Sequence, residues 1–242
     1  MSDDLVELAL SARGGRDRWR DASHVTATVR VGGPFWEFKG NPDLLGVERV
    51  TADVRRQHIS MTPFGDGRTL TFDAGTDVVT ITDGDGSVVD RLEHPRRSMA
   101  GYAGETKWTA AQTGYFISYA TWMYLLEPWL FTFPGVTTRE IEPWSEDGET
   151  WRRLDVTFPD TIATHSSTQT YYIDASTGLQ RRMNYDAEVN GWSEVAHYTS
   201  EYHDFGGLLV PTRRRVLQRN AENVGLHDFA GITLDVDDVE LS

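Results

Sequence analysis

The stretch 165–216 constrains the fold of this chain more than any other, because it reads as four consecutive strands joined by turns of recognisable chemistry. Run 165–174 ends at Ala175-Ser176-Thr177-Gly178, run 180–189 at Asn190-Gly191, and run 193–205 at Gly206-Gly207. A fourth, 208–219, carries Pro211 near its start, where a missing N–H is tolerated. Asn-Gly between alternating runs is a strong hairpin signal, since both central residues of the tightest turn need φ > 0. The expectation is a long antiparallel meander that must bury one face against another part of the chain.

The remaining sequence supplies further strands and the cover. Residues 3–13 place Leu5, Leu8, Ala9 and Ala12 at i, i+3, i+4, i+7, with acid in the first turn and Gly14-Gly15 at the end, which predicts an amphipathic helix. Period-two patterning predicts strands over 24–31, 35–40, 45–62, 68–73, 77–82 and 87–92. Between them stand Gly32-Gly33-Pro34, Asn41-Pro42, Pro63-Phe64-Gly65-Asp66-Gly67 and Asp83-Gly84-Asp85-Gly86, all turn chemistry. Window 109–127 predicts the one long helix, with Tyr115, Tyr119, Trp122 and Leu126 on one stripe and Pro128 as its stop. Strands resume over 136–141 and 150–158, and the last covers 232–241. The sum is an α+β chain, mainly antiparallel β: about ten strands in a strongly curved sheet, with the two helices covering its concave face.

No Pro-, Gly- or Ser-rich linker interrupts the 242 residues, so one domain spanning 1–242 is expected. Lys+Arg total 23 against 37 for Asp+Glu, a formal net charge of -14, which repels phosphate backbones and argues against a nucleic-acid partner. The sequence has no cysteine, which excludes disulfides, thiolate catalysis and cysteine-ligated zinc. Met1-Ser2-Asp3-Asp4 offers acid where a secretory signal has a basic region, so a cytoplasmic location is expected. Within 108–138 the only charge is Glu127, yet Thr109, Gln112, Ser118, Pro128 and Pro134 make the segment too polar and too broken to span a bilayer. No stable membrane insertion is expected.

Two groups of residues together resemble a known fold family. The first is Ala12-Arg13-Gly14-Gly15 with Trp19 ahead of the first strand. The second is Tyr171-Tyr172-Ile173-Asp174, Thr177-Gly178-Leu179, Arg182, Tyr202-His203-Asp204-Phe205-Gly206-Gly207 and Val210-Pro211. They resemble the half-barrel lipoprotein carriers, the LolA/LolB-like and mycobacterial LppX-like proteins, over the first and last parts of the chain. These motifs mark turns and strand ends, so they speak for fold more than for activity. The resemblance implies an open half-barrel whose sheet and covering helices enclose an apolar cavity that takes acyl chains. The chain departs from the pattern in lacking a signal peptide and lipobox cysteine, which argues against lipoprotein sorting. Its middle, 95–143, is unusually aromatic, which argues for a ring-bearing ligand, and is similar to that of bacterial cytosolic proteins that carry over no activity.

Trp36, Phe38, Trp108, Tyr115, Tyr119 and Trp122 are expected to surround a ligand space between sheet and helix; the alternative is a filled aromatic core. His197 and His203, six apart on one strand, share a face but stand ~20 Å apart, so no metal site is expected from them. Adjacent strands could instead bring His165, Tyr171, Arg182 and either His197 or Tyr198 onto one concave surface. There Tyr171, Arg182 and Tyr198 would touch a ligand, and His165, Tyr171 and His197 could transfer protons. The alternative is cross-strand polar pairing on a solvated face. Asp83-Gly84-Asp85-Gly86 fails as a calcium loop, because His94 stands where a bidentate Glu is needed. Arg213-Arg214-Arg215 alternates faces, with Asp235, Asp237 and Asp238 as candidate cross-strand partners. No P-loop, dinucleotide fingerprint, nucleophile elbow or HExxH occurs.

The leading expectation is a protein that binds a small apolar, aromatic or lipid-like molecule without any cofactor. The second is a cofactor-independent isomerase, cyclase or hydrolase using a His/Tyr pair in the same cavity. A third, an interaction module with an exposed sheet edge, predicts a stable oligomer.

Overall fold

The computed structural model describes residues 2–191 and 193–242. Its architecture follows from the route of the chain through a single antiparallel sheet of thirteen strands. Six strands step outward in sequence: β1 (His24–Gly32), β2 (Val47–Asp53), β3 (His58–Phe64), β4 (Arg68–Asp73), β5 (Val78–Thr82) and β6 (Val88–Glu93). The chain then leaves that edge through α4 (Pro95–Ser98) and α5 (Ala110–Leu126) and reappears at the opposite edge as β7 (Thr137–Glu146). It returns inward through β8 (Glu149–Thr157), β9 (Thr168–Asp174), β10 (Gln180–Ala187), β11 (Ser193–Phe205) and β12 (Leu208–Arg219). The last strand, β13 (Gly225–Leu241), pairs with β1 in the middle of the sheet. β6 and β7 stay unpaired with each other, so the curved sheet is an open half-barrel.

The long helix occupies the inner face because it is the crossover between the two edges. Thr109 caps it: the Thr109 hydroxyl accepts from the Gln112 N–H at 3.2 Å and Gln112 Oε1 accepts from the Thr109 N–H at 3.0 Å. From Ala111 to Leu126 every residue is buried. The expected single stripe is therefore corrected: a helix wrapped by a curved sheet is buried all round and needs no polar face. Gly114 is where it comes closest to the sheet, since a Cβ there would stand 2.6 Å from Leu70 Cδ1.

The N-terminal helix α1 (Ser2–Ala12) packs against β7 and β8, burying Leu5, Val6, Ala9 and Leu10, and the following α2 (Arg16–Asp21) buries Trp19 against Trp129. The glycine motifs meet here. A Cβ on Gly14 would stand 2.6 Å from the Gly207 carbonyl oxygen, and Arg18 Nη1 donates to the Gly206 carbonyl at 2.8 Å. A Cβ on Gly178 would stand 2.5 Å from the Leu8 carbonyl oxygen.

Several expected boundaries change. Residues 35–40 form a short helix, α3 (Phe35–Lys39), instead of a strand, held by the Trp36 indole N–H donating to Gly32 O at 3.0 Å and Lys39 Nζ to Thr106 O at 3.1 Å. The run 45–62 is two strands, split where Asp53 Oδ1 accepts from the backbone N–H of Arg55 (2.8 Å) and Arg56 (3.2 Å). Such an Asx turn needs neither Gly nor Pro. The run 136–141 continues past Pro143 to a tight Asp147-Gly148 turn with φ of 50° and 82°. The Asn190-Gly191 connection is longer than two residues, because Ala187 pairs with Ser193 and a 3-10 turn fills the gap.

Candidate functional site

The centre of the molecule is a set of polar side chains enclosed by the half-barrel. Glu127, just past the end of α5, receives the Tyr171 hydroxyl at 3.2 Å and pairs with Arg214 of β12 at 3.1 Å. Arg214 also donates to Tyr124 O at 3.0 Å and lies over the Tyr124 ring, 4.6 Å from its centroid. The Tyr124 hydroxyl continues the chain to His165 Nε2 at 2.8 Å, and the Tyr119 hydroxyl meets His165 Nδ1 at 3.1 Å. His165 stacks on Tyr185 with ring centroids 3.8 Å apart and an interplanar angle of 7°.

His165 reaches this position from the loop before β9, not from a strand as expected, and is wholly buried. Burial, with the Arg96 charge adding to it, pushes its pKa down to about 3. His197 is held well below its usual value by burial, Arg214 and His165. Burial drives the hydroxyls of Tyr119, Tyr124 and Tyr171 well above theirs. Both imidazoles are thus neutral at physiological pH, and the His165 ring has both nitrogens engaged. These are the properties of a structural hydrogen-bond chain; a general acid or base works best with a pKa near ambient pH.

The sequence-predicted residues separate into distinct places. Tyr171 and His197 share the inner face, as expected, paired across the sheet through Met183. Arg182 and Tyr198 do not: Arg182 pairs in register with Tyr172 and Tyr198, one step out of phase with Tyr171 and His197, so both project from the opposite face. There Arg182 donates to Asn184 Oδ1 at 2.8 Å, Glu146 Oε2 at 2.7 Å and Asn223 O at 2.8 Å. His203 is exposed whereas His197 is wholly buried; between them the backbone at Glu201 has φ of 55° while the register with β12 runs unbroken. Phe38 is 49% exposed, with Lys39 and Lys107 over its ring. Trp122 is core, its indole N–H bonded to Asp53 O at 2.8 Å. Trp36 and Trp108 pack behind Phe35 and Phe116. Tyr115 lies edge-on to Phe72 and Tyr119.

Most of the inner face is therefore filled by the aromatic helix. An apolar space of about 200 Å³ opens beside the far ends of β10 to β13. Phe35 of α3 and Phe116 of α5 form one wall, Tyr185, Val195 and Val216 the other, and Phe229, 63% exposed, stands at the mouth. No group of three or more His, Cys, Asp or Glu among the described residues is placed to hold a metal ion. No helix among them is long and apolar enough to cross a membrane.

Sequence reasoning did not assign Glu127, Arg214 and Arg13 to the centre. Two of them carried a signal: Glu127 is the lone charge of 108–138, and Arg214 is the middle of a triplet whose neighbours point outward. Arg215 pairs with Asp235 at 2.6 Å, while Asp237 and Asp238 pair with Arg30 and Arg49 of the neighbouring strands.

By sequence, no family model and no curated protein matches the chain. By structure, a LolA superfamily protein from Nitrosomonas europaea covers 100% of this chain and 93% of its own, with a TM-score of 0.56 at 14% identity. The chain has a LolA-like fold. A DUF1329 family protein from Desulfovibrio piger shares it, covering 100% of this chain and 93% of its own with a TM-score of 0.54 at 10% identity. In this LolA-like half-barrel the inner face carries its own aromatic filling.

Proposed function

We propose that the protein binds a small apolar, ring-bearing molecule in the space between Phe35, Phe116 and the inner face of β10 to β12. The supporting observation is that pocket: apolar walls, a volume of about 200 Å³ and an exposed aromatic at its mouth. A dry cavity of roughly 150 Å³ is enough for a benzene ring, so this one accommodates a ring with a short substituent and is too small for a diacyl lipid. Trp36 and Trp108 act in this reading by holding Phe35 and Phe116 in place, and Tyr185 offers the ligand a ring face stacked on His165. The LolA-like fold supports the reading as an architecture suited to an internal apolar space.

The test is native mass spectrometry of freshly purified protein, followed by titration with indole and toluene monitored by calorimetry. A stoichiometric aromatic passenger, or saturable binding of either probe that is lost in Val216→Trp, supports the proposal. A passenger-free protein that binds neither probe up to its solubility limit refutes it.

A further inference from the structure

The charge balance at the other end of the inner face does not close. Arg13, at the end of α1, is buried, and neither its Nε nor its Nη2 has a hydrogen-bond partner among the described residues. Its charged neighbours are Arg214 and Glu127. Glu127 is already committed, one oxygen to Tyr171 and the other to Arg214. Two guanidinium groups thus face a single carboxylate inside the protein. Arg214 Nη1 is a further buried donor without a partner among the described residues.

Arg13 also lines a small hollow. It holds about 10 Å³, room for one water-sized sphere, and is lined by Arg13, Gln180 and Tyr202 together with Pro128, Phe131 and Ile173. Gln180 Nε2 is another buried donor with no partner among the described residues. The Tyr202 hydroxyl donates to Gln180 O at 2.7 Å and carries no negative charge to set against Arg13. No carboxylate lines the hollow. A buried unpaired charge is costly, and its neutralisation by a charge-assisted hydrogen bond is the strongest remedy available.

From this arrangement we infer that the hollow is a site for a single small inorganic anion of halide size, held by Arg13 and the Gln180 side-chain amide. Burial lowers the Arg13 pKa to about 10, which leaves the guanidinium charged at neutral pH and in need of a counter-ion. A water molecule would satisfy one or two donors but not the charge. The inference is independent of the apolar pocket, because Gln180 and Tyr185 stand at opposite ends of β10.

The experiment is a thermal-stability titration of the full chain with sodium chloride against sodium gluconate at constant ionic strength, with bromide soaks of crystals read by anomalous scattering. The expected results are a saturable rise in melting temperature with chloride only, and a bromide peak within hydrogen-bond distance of Arg13 and Gln180. Arg13→Gln should weaken the chloride effect by at least about tenfold, since a charge-assisted donor is lost. Gln180→Glu should remove it altogether while raising stability at low chloride, because the carboxylate then supplies the missing negative charge. Superimposable chloride and gluconate curves, or a bromide-soaked crystal with only water in the hollow, overturn the inference. The bromide map needs no variant, so a misfolded Arg13→Gln protein leaves the test intact.

Discussion

His197 derives no hydrogen bond from either ring nitrogen among the described residues, although it is wholly buried against Tyr124 and Tyr185. Its folded pKa lies well below the unfolded value of about 6.5, so on acidification the unfolded chain takes up a proton that the folded chain refuses. The resulting stability is present above pH 6.5 and is lost as pH falls; for His165 the same window runs from about 6.5 to about 3. Replacing His197 by Leu should therefore flatten the acid limb of a stability-pH profile by about 1.4 kcal/mol per pH unit near pH 5. It should also raise stability at pH 7 by about 1 kcal/mol, because two unsatisfied buried atoms disappear. Urea unfolding midpoints of both proteins between pH 4 and pH 8 check this, and parallel profiles would rule it out. The inward ion pair was only half legible at this scale. Glu127 stands out as an isolated charge and Arg214 as the middle of a triplet, but alternation without register does not say which face is inside. The same ambiguity leaves His197 and Tyr198 as alternatives beside Tyr171 and Arg182, whereas the register puts Arg182 with Tyr198 on the side opposite Tyr171 and His197.

At the scale of elements, the contact between α1 and the β9–β10 turn is set by a glycine. Gly178 has φ of 73° and its Cα faces the Leu8 carbonyl, so Gly178→Ala meets both a left-handed backbone penalty and a backbone clash. A loss of ~2 kcal/mol or more is expected, read as a lower urea midpoint, and an unchanged midpoint would remove α1 from the list of elements that matter for stability. The turn itself was readable from Thr177-Gly178, as was α5 from its apolar spacing and from Pro128 after its end. What failed to show was structure decided by distant partners. Five residues between Gly33-Pro34 and Gly40 are too few for periodicity to separate helix from strand, and α3 is fixed by contacts with 104–108. Aromatic density in 108–138 was plain, but whether rings surround a void or fill it depends on how far the sheet curves around them, which no local pattern encodes.

On the scale of the whole molecule, the sheet couples the two halves of the chain through the pairing of β1 with β13, and α5 fills the face they share. The expected behaviour is one cooperative unfolding transition. Far-UV circular dichroism and tryptophan emission should report the same midpoint, since Trp36 lies in the first half of the sheet's path and Trp151 in the second. Two resolved transitions would instead divide the chain into independent units. The position of β13 has a further consequence for how the protein comes into being. Its partners β1 and β12 are both synthesised before it, and neither can complete its lateral hydrogen bonding until residues 225–241 emerge. β13 is thus the keystone of the arch, and a nascent chain stalled just short of it carries two raw inner edges, each an invitation to the wrong partner.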